Sequence, residues 1–217
     1  MPIKSIIQST FFDNQAIPTQ QPPLLTITGE LGAGVGDIAD KLAERLGVGC
    51  YDYQVLDGII NEARSNHLLV KEMDSRRPNV LSKWINSFYK KGDSAKSEYL
   101  AYLVKTVMGI APMGGVIVGR GAHLILSEYQ VLRLKVEAGP KFCAKRVATR
   151  KGISPKAAQE MVTKVNKERM KFVADIYDKF PVNASYYDLI LSAEVLTAEQ
   201  IVDVTIAAMK MAGLRTE

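Results

Sequence analysis

The apolar residues of this chain fall into five short runs separated by longer stretches of helical period. Residues 24–28 (LLTIT) are apolar or β-branched and stop at Gly29, the pattern of a strand buried on both faces. Comparable runs occur at Cys50–Tyr51, at 116–118, at 132–136 (LRLKV) and at 188–192 (DLILS). After the first run, Ile38, Leu42 and Leu46 recur with Ala39 and Ala43 at helical spacing, and Gly47 and Gly49 close that helix. Residues 54–110 read as mostly helical, broken near Pro78 and 91–93. Pro155 opens a long helical pattern in which Met161, Val165, Phe172 and Ile176 share one face. Ile201, Val204 or Thr205, and Ala208 mark a last helix. Short buried strands alternating with helices predict an α/β fold, with a five-stranded parallel sheet covered on both faces. Residues 1–23 show no sustained period and end in TQQPP, so they read as an extension ahead of a domain at 24–217.

Composition narrows the class. The chain's 217 residues suit one domain, and 47% hydrophobic with 24% charged residues is an ordinary globular balance. No apolar run approaches the about 20 residues that span a bilayer, and MPIKSIIQSTFFDNQ is too polar for a secretory signal. Cys50 and Cys143 form no framework, which predicts a reduced, cytoplasmic setting. The net charge of +5 is uneven: residues 141–180 carry 11 Lys and Arg against 4 Asp and Glu, leaving the remainder at −2. Such a surplus suits an anionic ligand, although a solvated helical face has the same composition.

The richest chemistry is Gly29-Glu-Leu-Gly32-Ala-Gly34-Val-Gly36-Asp37, between a buried strand and an amphipathic helix. Glycines there let backbone N–H groups converge on an anion, and a helix N-terminus adds partial positive charge. The usual phosphate loop is G-x-x-x-x-G-K-[ST]. The spacing of Gly29 and Gly34 fits it, but Val35 stands in the lysine slot and Gly36 in the hydroxyl slot. An anion cradle and a plain tight turn both satisfy the pattern. Asp37 either caps the helix or helps hold a metal.

LLTITGELGAGVGDIADKLAERLGVGCYD, GGVIVGRGAHLIL, VLRLKVEAGPKFCAKRVATRKGISPKAAQEMV, NKERMKF and YYDLILSAEVLTAEQIV, in that order, resemble the cytidylate kinase-like family across about 24–210. The resemblance implies a three-layer P-loop NTPase-type fold with a helical nucleoside-monophosphate-binding insertion at about 54–110 and a basic lid at about 141–180. It implies transfer of the ATP γ-phosphate, with Mg2+, to CMP or a related pyrimidine monophosphate. By the same resemblance Gly29, Gly32, Gly34, Gly36, Asp37 and Arg150 would meet the nucleotide phosphates. Arg120, Arg146 and Arg169 would stabilise the moving phosphoryl group, and Tyr51 and Asp52 would lie near the acceptor. Arginine suits such roles because its planar fork grips a phosphate in two places.

The departures from the family cluster at that site. Gly29 and Gly36 replace arginines, Cys143 replaces a lid-side arginine, and Asn166 replaces the aspartate before Arg169. Val118 ends the third strand where many related kinases carry an acid. Lys145, Lys167 and Lys171 are the nearest lysines that could substitute. Two outcomes stay open: a phosphotransferase, or a non-catalytic nucleotide-binding or interaction protein descended from one.

Plainer readings accompany each residue. Arg120 could bridge to a surface acid, and Tyr51 and Asp52 could be a packed ring and a turn residue. Lys164, Lys167 and Lys171 could line a solvated face. His67 and His123 have no metal-ligand spacing, so no metal site is expected. Trp84, Phe88, Tyr89, Tyr99 and Tyr102 read as subdomain core. No RNA-binding module is recognisable, so a nucleotide is the expected partner, with no specific nucleic acid and no membrane. A homo-oligomer is compatible with the sequence.

Overall fold

The computed structural model of the protein describes residues 2–13, 21–75, 94–177 and 187–216. Its centre is a five-stranded, all-parallel sheet in the order β2-β3-β1-β4-β5. The strands are β1 (Leu24–Gly29), β2 (Cys50–Tyr51), β3 (Gly115–Val118), β4 (Leu132–Glu137) and β5 (Leu189–Ser192). All five coincide with the apolar runs, to within one or two residues. β1 is central, with Ile27 level with Val118 of β3 and with Leu134 of β4.

Side chains alternate across the sheet, so each face acquires its own core. Leu25, Ile27, Val116, Leu132, Leu134 and Val136 face one layer. That layer contains α2 (Val35–Leu46), α7 (Pro140–Lys151), the first half of α8 (Pro155–Tyr177) and α9 (Ala198–Met211). Leu24 and Ile117 face the other, built from α3 (Tyr53–Ser65), α4 (His67–Ser75), α5 (Ser94–Ile110) and α6 (Ala122–Ile125). α2 buries the expected Ile38, Ala39, Leu42, Ala43 and Leu46, and Gly47 ends it in the left-handed conformation. α9 starts from a capping box between Thr197 and Gln200. It buries Thr205 rather than Val204, because the Thr205 hydroxyl satisfies itself on the Ile201 carbonyl at 2.6 Å. In α8, Ala158 and Val162 are the buried residues, while Met161, Val165 and Phe172 are partly buried. The side chain of Ile176 lies outside the described residues, as do Pro78, 91–93, Trp84, Phe88 and Tyr89.

The N-terminal stretch departs from its expected role as an extension. Ile3–Ile7 forms α1, and one π-helical turn follows at Gln8–Phe12. Ile7, Thr10 and Phe11 are buried in the helical layer. Gly58 on α3 and Gly109 on α5 leave the space that Ile3 and Phe11 fill, since a Cβ at either would come within 2.7 Å of those side chains. This segment is part of the core of the helical layer.

Candidate functional site

The glycine loop connects the carboxyl end of β1 to the amino end of α2. Gly32 and Gly34 adopt φ of +101° and +90°, which side-chain-bearing residues rarely reach. Each also admits a close neighbour. The backbone of Cys143 on α7 abuts Gly32, and the Arg146 guanidinium lies over Gly34, 2.9 Å from where a Cβ would be. A Cβ on Gly29 would collide with the Val136 carbonyl, so in this packing position 29 has no room for a side chain. Val35 folds back against Gly29 instead of reaching across the loop as a lysine would. Gly36 faces open space.

α8 fastens the loop through two side chains. Asn166 Oδ1 accepts the Leu31 N–H at 2.9 Å, and Arg169 Nη1 donates to the Gly29 carbonyl at 3.0 Å. Burial, and secondarily the repulsion of Arg120, hold the Arg169 pKa below its ordinary value. Arg169 remains a cation, because a guanidinium does not deprotonate in proteins. Asp37 does not cap α2: Gly34 occupies the N-cap position with no side-chain hydrogen bond. Asp37 sits in the first turn and pairs with Arg150 at 3.3 Å and Arg146 at 4.0 Å. The reason is positional, since a capping side chain must precede the turn it caps. Lys145, Lys164, Lys167 and Lys171 are all exposed, and the cations that meet the loop are Arg146 and Arg169.

Arg120 follows β3 in a turn where Gly119, Arg120 and Gly121 all have positive φ. At +53°, it is the only non-glycine residue with positive φ among those described. Such backbone strain is concentrated at functional sites. Its Nη2 pairs with Asp57 Oδ2 of α3 at 2.7 Å, and the Tyr99 hydroxyl of α5 donates to Asp57 Oδ1 at 2.7 Å. The guanidinium carbon lies 5.8 Å from the ring centre of Tyr53, 5.9 Å from Tyr99 and 5.2 Å from Phe172 of α8. Burial, then the bond to Asp57, pushes the Tyr99 phenol pKa up, so it stays a donor. Arg120 thus joins the sheet, the helical layer and α8.

Tyr51 and Asp52 answer to their plainer readings. Tyr51 is buried, its hydroxyl 3.1 Å from Thr10 Oγ1 and its ring packed under Gly49 and Gly115. Asp52 is the N-cap of α3, one carboxylate oxygen accepting the N–H groups of Gln54 and Val55. Packing engages Tyr51, and helix capping engages one carboxylate oxygen of Asp52. Sequence reasoning missed Asp57, a single acid on an amphipathic helix, and took Tyr99 for core alone. Cys50 and Cys143 are free thiols; burial is the main cause that pushes Cys50 up to about 12 and raises Cys143 as well. Among the described residues no three His, Cys, Asp or Glu side chains group as metal ligands, and no helix is long and apolar enough to cross a membrane.

A parallel sheet with a glycine turn after its central first strand, ringed by arginines at its carboxyl edge, defines a P-loop-type α/β protein of nucleotide-kinase-like class. The chain belongs to the cytidylate kinase-like family, whose model matches residues 24–195. A protein of Eubacterium ventriosum ATCC 27560 with a crystal structure is similar at 21% identity and a TM-score of 0.69, over 88% of this chain and 99% of that one. That likeness is one of fold. Shikimate kinase from Bacteroides thetaiotaomicron, at 15% identity, covers the same shares of the two chains with a TM-score of 0.47, too loose to argue from. No curated protein matches the chain.

Proposed function

We propose that the protein binds ATP at the glycine loop and transfers its γ-phosphoryl group to a nucleoside monophosphate, CMP or a related pyrimidine monophosphate. The observation behind this reading is that Arg146 and Arg169, from two different helices, meet one glycine loop, with Arg120 near enough to Arg169 to help lower its pKa. Phosphoryl transfer needs little covalent help from the protein, so positioned cations supply most of the catalysis. An acceptor phosphate oxygen would bond to the γ-phosphorus as the bond from that phosphorus to the bridging oxygen breaks, and ADP would leave with the electron pair. A monophosphate is largely ionised near neutrality, so this attack calls for no general base. On this reading the acceptor phosphate competes with Asp57 for Arg120, and Arg146, Arg150 and Arg169 attend the ATP side.

Related kinases generally use ATP with magnesium. The residues here do not fit a magnesium site of the chain's own: Gly36 has no hydroxyl and Asp37 is paired with two arginines. Magnesium therefore enters as part of the magnesium nucleotide, and no step is assigned through it. The reading is tested by incubating the protein with ATP, magnesium and a panel of pyrimidine and purine monophosphates while following ADP. Acceptor-dependent ADP is expected, greatest with a pyrimidine; its absence with every acceptor refutes transferase activity.

The second reading, a non-catalytic nucleotide-binding or interaction protein, is favoured by Val35 and Gly36, which leave the loop without the lysine and the hydroxyl of the usual pattern. Calorimetric binding of ATP without ADP formation would establish it.

A further inference from the structure

The lysine of a phosphate loop reaches the outer phosphates from the first turn of the helix. Here that position is Val35, turned back onto Gly29. Resting on the nucleotide-binding reading above, we propose that Arg146 is this loop's replacement for the lysine, brought from α7 across Gly34.

The geometry supports it on several counts. Both terminal nitrogens and the central carbon of the guanidinium lie 2.9, 3.0 and 3.2 Å from the Cβ position that Gly34 lacks. The group therefore covers the loop at the residue just before the lysine slot. Its base is fixed, since neighbouring Cys143 is fully buried with its backbone against Gly32. Its head lies over the Phe142 ring, 5.7 Å from the guanidinium carbon, and is only loosely paired with Asp37 at 4.0 Å. The side chain still keeps 43% of its exposure, so a phosphate can reach it. A lysine at position 35 and an arginine over Gly34 would serve the same anion, which explains how the loop functions without the first.

The test is a binding cycle, read by calorimetry with magnesium ATP and, separately, pyrophosphate. Arg146→Ala is expected to weaken both ligands roughly 10- to 100-fold, the worth of a charge-assisted phosphate contact, and Arg146→Lys to recover part of the loss. Val35→Lys should restore at least about tenfold in the Arg146→Ala background yet add little to the otherwise unchanged protein, because the two cations compete for one site. Val35→Met, of similar reach without charge, should restore nothing. Thermal melting checks that each variant is folded. Equal binding by Arg146→Ala and the unchanged protein overturns the proposal alone, as does an equal gain from Val35→Lys in both backgrounds. If the unchanged protein binds neither ligand, the nucleotide-binding reading fails and this inference fails with it.

Discussion

The glycine loop and the Arg120 turn are both short connections leaving adjacent strands, yet they hold their cations in opposite ways. Around the loop, Arg146 and Arg150 share Asp37 in the open, with side chains 43% and 76% exposed. Around the turn, Arg120 and Asp57 are each about a third exposed or less, bonded at 2.7 Å and boxed by Tyr53, Tyr99 and Phe172. Exposed pairs contribute little to stability and rearrange easily, whereas a pair removed from water is costly to break from one side. The loop side therefore holds cations that can change partners. The turn side is a structural joint, which on the proposed reading an acceptor phosphate would compete to open.

The largest expected effect comes from breaking that joint. Asp57→Ala leaves Arg120 without its counter-ion among aromatic rings and the Tyr99 hydroxyl without its acceptor. Removing one partner of a fully buried pair costs about 3–5 kcal/mol, and the residual exposure here brings the expected loss to about 3 kcal/mol. Urea denaturation measures it. Replacing both partners, Arg120→Met with Asp57→Leu, should be less damaging than Asp57→Ala alone. If Asp57→Ala melts like the unchanged protein, the contrast between the two sides collapses.

A second measurement asks whether the turn side is also the acid-sensitive side. The Arg120 turn leads directly into α6, where His123 is buried and stacks on Tyr187 at 4.8 Å. Burial, then Arg133, lowers the His123 pKa to about 4 from its ordinary 6.5. Folding therefore keeps His123 neutral, and the unfolded chain takes up the proton first. Stability from this residue is fully present above pH 6.5 and is lost as pH falls toward 4. Between pH 7 and 5 the loss is about 2 kcal/mol. His123→Gln should flatten that segment of the stability profile; an unchanged slope would mean that His123 is not held neutral.

Much of this architecture was legible because the signals were local. Short runs rich in apolar or β-branched residues marked all five strands, and Gly32 and Gly34 announced a loop whose positive φ values admit little else. Glycines on either side of Arg120 marked its turn in the same way. What escaped depends on contacts distant in sequence. Ile3, Ile7 and Phe11 repeat at helical spacing, but for only about two turns, and the π-helical turn spoils the period. Their sockets at Gly58 and Gly109 belong to other helices. Asp57 looked like any solvated acid until α3 packed beside the Arg120 turn. Tyr51 and Asp52 had a motif-like pairing, but whether a tyrosine points to a ligand or into the core is decided by its neighbours, here Thr10 of the supposed extension.

The smallest expected change in stability completes the contrast. Asp37→Asn removes the carboxylate that Arg146 and Arg150 share, but all three side chains are substantially exposed, so stability should move by no more than about 0.5 kcal/mol. Binding should respond in the other direction. Asp37 repels an incoming phosphate and competes for both arginines, so its neutralisation should tighten pyrophosphate binding several-fold at low salt, with the gain shrinking as ionic strength rises. The same exchange at Asp57 should instead register mainly as lost stability, because there the carboxylate holds the joint together. Should Asp37→Asn weaken pyrophosphate binding, Asp37 would be organising the arginines and not competing with the ligand. The loop side would then be preassembled like the turn side, and the distinction between an exchangeable and a fixed cation would have to be drawn within the arginine set itself.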